Sequence, residues 1–337
     1  MKRRIVSGIQ PSGILHLGNY LGAVKQWVKY QNSPQNECYF FIADYHSLTT
    51  SLNNLVFKDD KNSLESKTIL TLASLIGCGL DPKKVVLFNQ SHISEHLELY
   101  WILSCLTPMS KLNNMIQFKE KRKTNANVNS GLFNYPVLMT ADILLYKADE
   151  VPVGEDQIQH IELARDLTDK LNTACGKKLF PLPKYVISKG NRVMSLQNGE
   201  TKMSKSDKNH QSSINLLDSL EDIKTKIIKA KTDSNNIISF DKEKRPEVSN
   251  LIKIYAEFEN MEINDVVDKF KNSNLFEFKN EVIKSLENNF LPLCEKTRSI
   301  MKNNDYLYDI LNDGRKHAKE ISSKTLYELK SHLNLLI

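Results

Sequence analysis

What this sequence lacks narrows its class before any motif is read. Its 337 residues include only five cysteines. They stand at Cys38, Cys78, Cys105, Cys175 and Cys294, far apart and never in a C-x-x-C pair. That spacing argues against a zinc or iron–sulfur site built from local cysteine pairs. An odd number in a chain this long argues against a disulfide scaffold, so scattered thiols in a reducing cytoplasm are expected. No apolar run approaches the roughly 18 residues of a membrane helix. Lys2, Arg3 and Arg4 are basic, but no apolar leader stretch follows them, and no Ser/Arg-rich transit segment precedes the first strand-like run. Neither a secretory nor a transit signal is therefore expected. There is no repeat of fixed period and no long low-complexity tract. Excess charge is small: 46 Lys and Arg stand against 40 Asp and Glu, a net +6. A pI of about 8.8 permits a polyanionic partner without demanding one. Mean hydropathy of −0.40 fits a soluble globular protein, and the length favours two domains.

What is present reads as α/β for the first two thirds. Ile5-Val6-Ser7-Gly8-Ile9 predicts a short strand. A Pro/Gly turn and a helix through Tyr20, Leu21, Val24 and Trp27 follow. Tyr39 to Ala43 is a continuous apolar run that stops at Asp44, as a buried parallel strand would. Ile69, Leu72, Ala73 and Ile76 have helical spacing, and Val85 to Phe88 is the next strand. Strands alternating with helices predict a doubly wound parallel sheet. Residues 94–145 read as mostly helical, with an apolar face at Leu97, Trp101, Ile102 and Leu106. Another helix carries Ile158, Ile161, Ala164, Leu167 and Leu171, and Lys184 to Ile187 and Arg192 to Met194 read as short extended pieces. From Ser219 onward only helical patterns occur, opened by a capping-box sequence at Ser219 to Asp222 and later by Pro246. A boundary near Asp207 to Ser213 divides the chain into 1–210 and an all-helical 211–337.

Two polar segments stand out. Gly8-Ile9-Gln10-Pro11-Ser12-Gly13-Ile14-Leu15-His16-Leu17-Gly18-Asn19 follows the first strand and opens a helix. Gly8 and Gly18 would admit a nucleotide close to the backbone, with His16 and Asn19 as donors toward phosphate. A turn that merely shapes the strand–helix crossing is the plain alternative. The segment is neither a G-x-x-x-x-G-K-[ST] loop nor a G-x-G-x-x-G turn. The second is Lys202-Met203-Ser204-Lys205-Ser206, in a polar stretch between Leu196 and His210 that reads as a mobile loop. Its two lysines could close over a triphosphate and neutralise charge on a departing pyrophosphate. Alone, such a pentamer would be an ordinary solvated basic loop.

Together, H-x-G-N after a first strand and K-M-S-K-S after the last resemble the two signatures of class I aminoacyl-tRNA synthetases. Gly8 to Gly13, Asp142-Ile143-Leu144-Leu145-Tyr146 and Val151-Pro152-Val153-Gly154-Glu155-Asp156-Gln157 narrow the resemblance to the bacterial-type tryptophanyl-tRNA synthetases. It runs from about Ile5 to the C-terminal helices, densest over the first 210 residues. It implies a Rossmann-like catalytic domain and a helical anticodon-binding domain, with ATP as substrate, Mg²⁺ carried on it, and L-tryptophan and tRNA(Trp) as partners.

The same resemblance implies roles. Tyr135 to Asp142 is expected to begin a helix with Pro136 at its first position. Met139 and Asp142 would then share a face, Met139 packing on an indole and Asp142 accepting its N–H. Asp156 is expected at the ribose hydroxyls unless it only caps a helix, with Gly154 and Glu155 beside it. Gln157 and Tyr135 are expected at the ammonium, and Val193 at adenine through its backbone. Val151, Val153, Val6 and His46 would wall the pocket; Val6 departs from the aromatic residue of some relatives. Gln10, Pro11, Ser12, His16, Gly18 and Asn19 would hold phosphates and adenosine with Lys202, Met203, Ser204, Lys205 and Ser206. Lys121 is a further triphosphate candidate, or part of a solvated basic face. His92, His96 and His160 read as structural, and no nucleophilic triad or metal-ligand spacing occurs. No general base is needed, because the attacking tryptophan carboxylate is ionised at neutral pH. Lys224, Lys226, Lys229, Lys231, Arg315 and Lys316 make the C-terminal helices the expected anticodon reader. The helical segment 94–145 is the expected homodimer region. A tyrosine-specific synthetase and a tRNA-binding paralogue without catalysis stay open. Asp142 with Met139 argues against the first, and intact Lys202, Lys205, Gly18 and Asn19 against the second.

Overall fold

Apolar strands alternating with amphipathic helices produce a parallel sheet whose two faces are both covered. The computed structural model describes residues 2–51, 63–124, 128–187, 192–204, 207 and 209–336. Strands β1 (Arg3–Ile9), β2 (Asn36–Ile42), β3 (Val86–Asn89), β4 (Glu150–Val153) and β5 (Lys184–Ile187) form a parallel sheet in the order β3-β2-β1-β4-β5. Successive side chains of a strand point to opposite faces. Ile5 and Phe40 therefore join one apolar layer with Trp27, Leu72 and Leu87, while Val6, Tyr39 and Phe41 join the other with Phe88 and Tyr146. Trp27 stacks on Phe40 with ring centroids 4.5 Å apart. Such a pair adds about 1 kcal/mol beyond the area it buries.

The sheet opens where the site will be. β1 and β2 pair from Arg3–Asn36 to Ile9–Ile42, whereas β1 and β4 pair only at Ile5–Glu150. Further along β4 stands Pro152, which has no N–H to donate. Its carbonyl accepts a 2.9 Å bond from the Ser7 hydroxyl instead. β1 and β4 thus part toward their carboxyl ends, at the point where the strand order reverses. In open α/β sheets that crevice is where ligands sit.

The helices frame the crevice. After β1 come a short turn α1 (Leu17–Asn19), a π-helical turn (Tyr20–Val24) and α2 (Lys25–Gln31). α3 (Asp44–Ser51) follows β2, and α4 (Leu64–Gly77) leads to β3. Helices α5 (Glu95–Leu106), α6 (Met109–Asn113), α7 (Ile116–Thr124) and α8 (Ser130–Leu144) fill the stretch before β4. α9 (Ile158–Ala174) joins β4 to β5. The rest is helical: α10 (Leu220–Ile228), α11 (Pro246–Glu259), α12 (Ile263–Lys269), α13 (Leu275–Asn289), α14 (Leu291–Ile300) and α15 (Asn304–His332). Ser219 and Asp222 form the reciprocal capping box, and Pro246 occupies the first turn of α11. α15 returns to lie against β3 and α5.

One expectation needs correction. Pro136 does not open its helix. α8 starts at Ser130 because the Asn129 side chain accepts the Leu132 N–H, leaving Pro136 inside. A capping side chain upstream outweighed the proline preference, and the helix forgoes one N–H in its ladder. On α5, Leu97 and Trp101 of the apolar face are 40% and 69% exposed, while Leu99 and Leu103 are buried in the core.

Candidate active site

Each strand of the crevice ends in a polar group. β1 runs into Gln10, β2 into Asp44 and His46, β3 into Asn89 and Gln90, β4 into Gly154. Asp44 joins two of these ends, accepting the Ser91 N–H at 2.9 Å and the Asn89 amide at 2.7 Å. A cavity of about 460 Å³ lies at this edge, a size suited to a small organic ligand. Val6, Gln10, His46, Tyr135, Met139, Asp142, Val151, Val153, Gly154, Gln157 and Lys202 all line it.

At its floor is Asp142, 1% exposed on the core side of α8. An ionised carboxyl there requires several donors. Gln90 Nε2 donates to Oδ1 at 2.7 Å and His96 Nδ1 to the same oxygen at 2.6 Å. His46 Nε2 donates to Oδ2 at 2.8 Å. His96 Nε2 lies 2.9 Å from the Tyr146 hydroxyl. The ring thus bridges the carboxylate to the phenol through its two nitrogens. Burial pushes the Asp142 pKa up, yet the bonds from His46 and His96 outweigh it and hold the group down at about 2. Two oxygens offer about four acceptor positions. Among the described residues three are filled, and Asp142 lines the cavity, so the carboxylate has room for one more donor.

A second network forms the opposite wall. The Tyr135 hydroxyl lies 2.7 Å from Gln117 Oε1 and 2.9 Å from His160 Nε2, and His160 Nδ1 donates to Gln157 Oε1 at 2.7 Å. Burial, with the Asp156 charge adding to it, raises the Tyr135 pKa far above its ordinary value, so the phenol stays a neutral donor. Asp156 itself stands outside the cavity lining. Its carboxylate accepts from Gln117 at 2.8 Å and Gln157 at 3.0 Å, and with Glu155 it borders a separate surface depression. It is not a helix cap either: Gln157 precedes α9 without a side-chain capping bond.

The two signature segments meet at the cavity's mouth. His16 is 4% exposed, and its Nδ1 accepts the Asn19 N–H while Asn19 Oδ1 accepts the His16 N–H. The ring is thus a helix cap that shapes the turn. Residues 15–17 pair with 214–216 through Leu17 N–H to Ile214 O at 2.8 Å and Leu216 N–H to Leu15 O at 3.0 Å. Lys202 lies opposite Met194 in an antiparallel bridge, with Met203 N–H donating to Val193 O at 3.1 Å. Met203 is 2% exposed and Lys202 faces the cavity. A Cβ on residue 18 would lie 3.0 Å from the His16 ring, a tight contact within the turn, and 3.5 Å from Met203 Cβ, an ordinary contact between the two segments. Pro11, Ser12, Asn19, Val193 and Ser204 belong to the same two segments but do not line the cavity. Lys205, Ser206 and the side chain of Lys121 lie outside the described residues.

Sequence reading missed Gln90, His96, Gln117 and His160 as site groups. A polar pair, Asn89-Gln90, that ends an apolar strand at the ligand edge was a usable signal for the first. The others meet the site only through helix packing.

Residues 1–290 match the family described as tRNA synthetases class I (W and Y). The chain is 42% identical over 339 residues to the tryptophan-tRNA ligase of Rickettsia prowazekii, covering all of both chains. Its fold matches the tryptophanyl-tRNA synthetase of Mycoplasma pneumoniae with a TM-score of 0.86 and 31% identity, over 100% of this chain and 99% of that one. It matches the Campylobacter jejuni enzyme, crystallised with ADP and tryptophan, with a TM-score of 0.80 and 33% identity, over 98% and 100%.

The depressed pKa of Asp142 has a definite sign. Its stabilisation is fully present above the unfolded carboxyl value of about 3.9 and is lost as pH falls through about 2. Asp142→Asn is expected to lower stability at pH 7 by about 2–4 kcal/mol, since it leaves buried donors facing an amide. In urea unfolding, the gap to the native protein should narrow between pH 4 and pH 2.5; a gap independent of pH would contradict the network.

Proposed function

The chain belongs to the class I tRNA synthetases for tryptophan and tyrosine, and we propose that it is a tryptophan-tRNA ligase: ATP activates L-tryptophan as tryptophanyl-adenylate, and the tryptophanyl group passes to tRNA(Trp). The observation that carries the choice of amino acid is Asp142, ionised, buried, and with one acceptor position left toward the cavity. An indole N–H satisfies it while Met139 packs on the ring. Phenylalanine leaves that remaining acceptor position empty, and tyrosine brings its donor in at a different position. Tyr135 and Gln157, joined through His160, receive the ammonium.

The chemistry asks little of acids and bases. A tryptophan carboxylate oxygen attacks the α-phosphorus of ATP, the bond to the β-phosphate oxygen breaks, and pyrophosphate leaves with the charge. The protein's work is alignment and charge stabilisation. Gln10 and the backbone of the Gly8 to Asn19 segment cradle the nucleotide; Lys202, with Lys205, meets the phosphates. Val193 and Gly154 border adenine and ribose, with Glu155 beside them and Asp156 acting through Gln157 and Gln117. Mg²⁺ arrives on the phosphate oxygens and neutralises part of their charge. A ribose hydroxyl at the 3′ end of tRNA then attacks the carbonyl carbon, and AMP leaves.

Residues 1–210 are assigned to catalysis and 211–337 to tRNA binding, with Lys224, Lys229, Lys231, Arg315 and Lys316 reading the anticodon arm by charge; Lys226, expected among them, is instead buried and paired with Asp218, so its charge is spent inside the fold. Leu97, Trp101, Met109 and Ile116 are 40%, 69%, 69% and 59% exposed on α5 to α7, which favours a homodimer that covers them. None of the described helices is long and apolar enough to cross a membrane, and charging in the cytoplasm, where its tRNA is used, is the matching location.

Tryptophan-dependent ATP–pyrophosphate exchange tests the assignment, with tyrosine run beside it. Exchange with tryptophan and none with tyrosine is expected; the reverse contradicts it. Lys202→Ala should slow adenylate formation far more than it weakens tryptophan binding, and an unchanged single-turnover rate would refute its role. Light scattering at micromolar concentration should give twice the chain mass; a monomer removes the dimer.

A further inference from the structure

The strand that carries Lys202 is held from behind by a helix of the C-terminal region. Met194 faces Lys202 in the antiparallel bridge, where Met203 N–H donates to Val193 O and Ser195 N–H to Thr201 O. In that register the N–H and C=O of Met194 point away from the Lys202 strand and would be left unpaired. Asn250 on α11 meets both. Its Oδ1 accepts the Met194 N–H at 2.8 Å and its Nδ2 donates to the Met194 carbonyl at 2.9 Å. The side chain is 2% exposed, so its carboxamide completes the pairing as a third strand would.

A second attachment lies at the turn. A Cβ on residue 199 would stand 2.6 Å from Glu247 N and 2.8 Å from Pro246 Cβ, so the turn rests directly on the first turn of α11 and only glycine fits there. Lys231 N–H closes the base by donating to Leu196 O at 2.8 Å. The hairpin from Val193 to Met203 is therefore fixed to α11 along its outer edge and at its tip.

We propose that Asn250 is a positioning residue for adenylate formation: by clamping the peptide of Met194 it sets where Lys202 stands in the cavity, and it couples that placement to α11. The inference rests on the reading of Lys202 as the group that meets the triphosphate. Displacing a charge-stabilising group by about 1 Å costs on the order of a hundredfold in rate.

A double-mutant cycle on single-turnover adenylate formation separates this from a structural role. Asn250→Ala is expected to slow the step by roughly tenfold to a hundredfold while the tryptophan Kd, from equilibrium dialysis, stays within about twofold. In a Lys202→Ala background the same change should cost less than about twofold, because the group it positions is gone. Gly199→Ala, which lifts the turn off α11 without removing a hydrogen bond, should behave likewise and carries the test if Asn250→Ala does not fold. An equal loss in both backgrounds, or no loss in either variant, overturns the role of Asn250 alone. A Lys202→Ala enzyme that reacts at the native rate overturns the role of Lys202, and this inference with it.

Discussion

A carboxylate sealed inside a protein is tenable only if donors replace the water it gave up, and Asp142 organises this molecule accordingly. Its three donors come from three places in the chain: His46 after β2, Gln90 after β3, and His96 on α5. Each must arrive with a proton pointing inward, which fixes the ends of two strands and two helices relative to α8. Losing one partner leaves a buried charge under-compensated, which costs more than the bond itself contributes. The group proposed to accept the indole N–H is therefore also a bolt between elements, and its charge stays fixed across the neutral range.

Around that floor, the sheet supplies the opening. Pairing of β1 with β4 at Ile5–Glu150 alone, and the missing N–H of Pro152, let the two strands diverge where the strand order reverses. The tryptophan end of the cavity is walled by helices rich in buried apolar residues, while its mouth is built of backbone turns. This division suits the chemistry. An indole asks for apolar contact and one acceptor; a triphosphate asks for N–H groups and cations, which turns and an exposed lysine provide. The hairpin that carries Lys202 is backed by α11, which ties this edge of the cavity to the helical region by direct hydrogen bonds.

Much of the fold was legible in the sequence because local chemistry determined it. Apolar runs at Tyr39 to Ala43 and Val85 to Phe88, and the short Ile5-Val6-Ser7-Gly8-Ile9 segment, read as covered strands, and the reciprocal cap at Ser219 and Asp222 needs no tertiary partner. Pro136 misled because its start-of-helix preference competes with a better signal, the Asn129 cap, that lies in a weakly patterned stretch. The exposure of Leu97 and Trp101 was not legible, because apolar spacing identifies a face but does not say whether that face meets the core or another surface. At the site, resemblance supplied Asp142, Met139, Tyr135, Gln157 and Lys202, all of which line one cavity. His96 and His160 read as structural because a histidine's role depends on what its two nitrogens meet. Those partners are 46 and 25 residues away for the bonds to Asp142 and Tyr135. Asn250 was invisible for the same reason, its partner Met194 being 56 residues distant.

The central claim is that Asp142 keeps one acceptor position for an indole N–H. The most direct measurement compares kcat/KM in pyrophosphate exchange for tryptophan and for its benzothiophene isostere, in which sulfur replaces the N–H group with little change in shape. A site that must hydrogen-bond its substrate should reject the isostere by at least ~10², approaching ~10⁴ where no water can stand in. A ratio below about ten would mean that apolar fit alone selects the ring, and that the Asp142 carboxylate serves the fold and not the substrate.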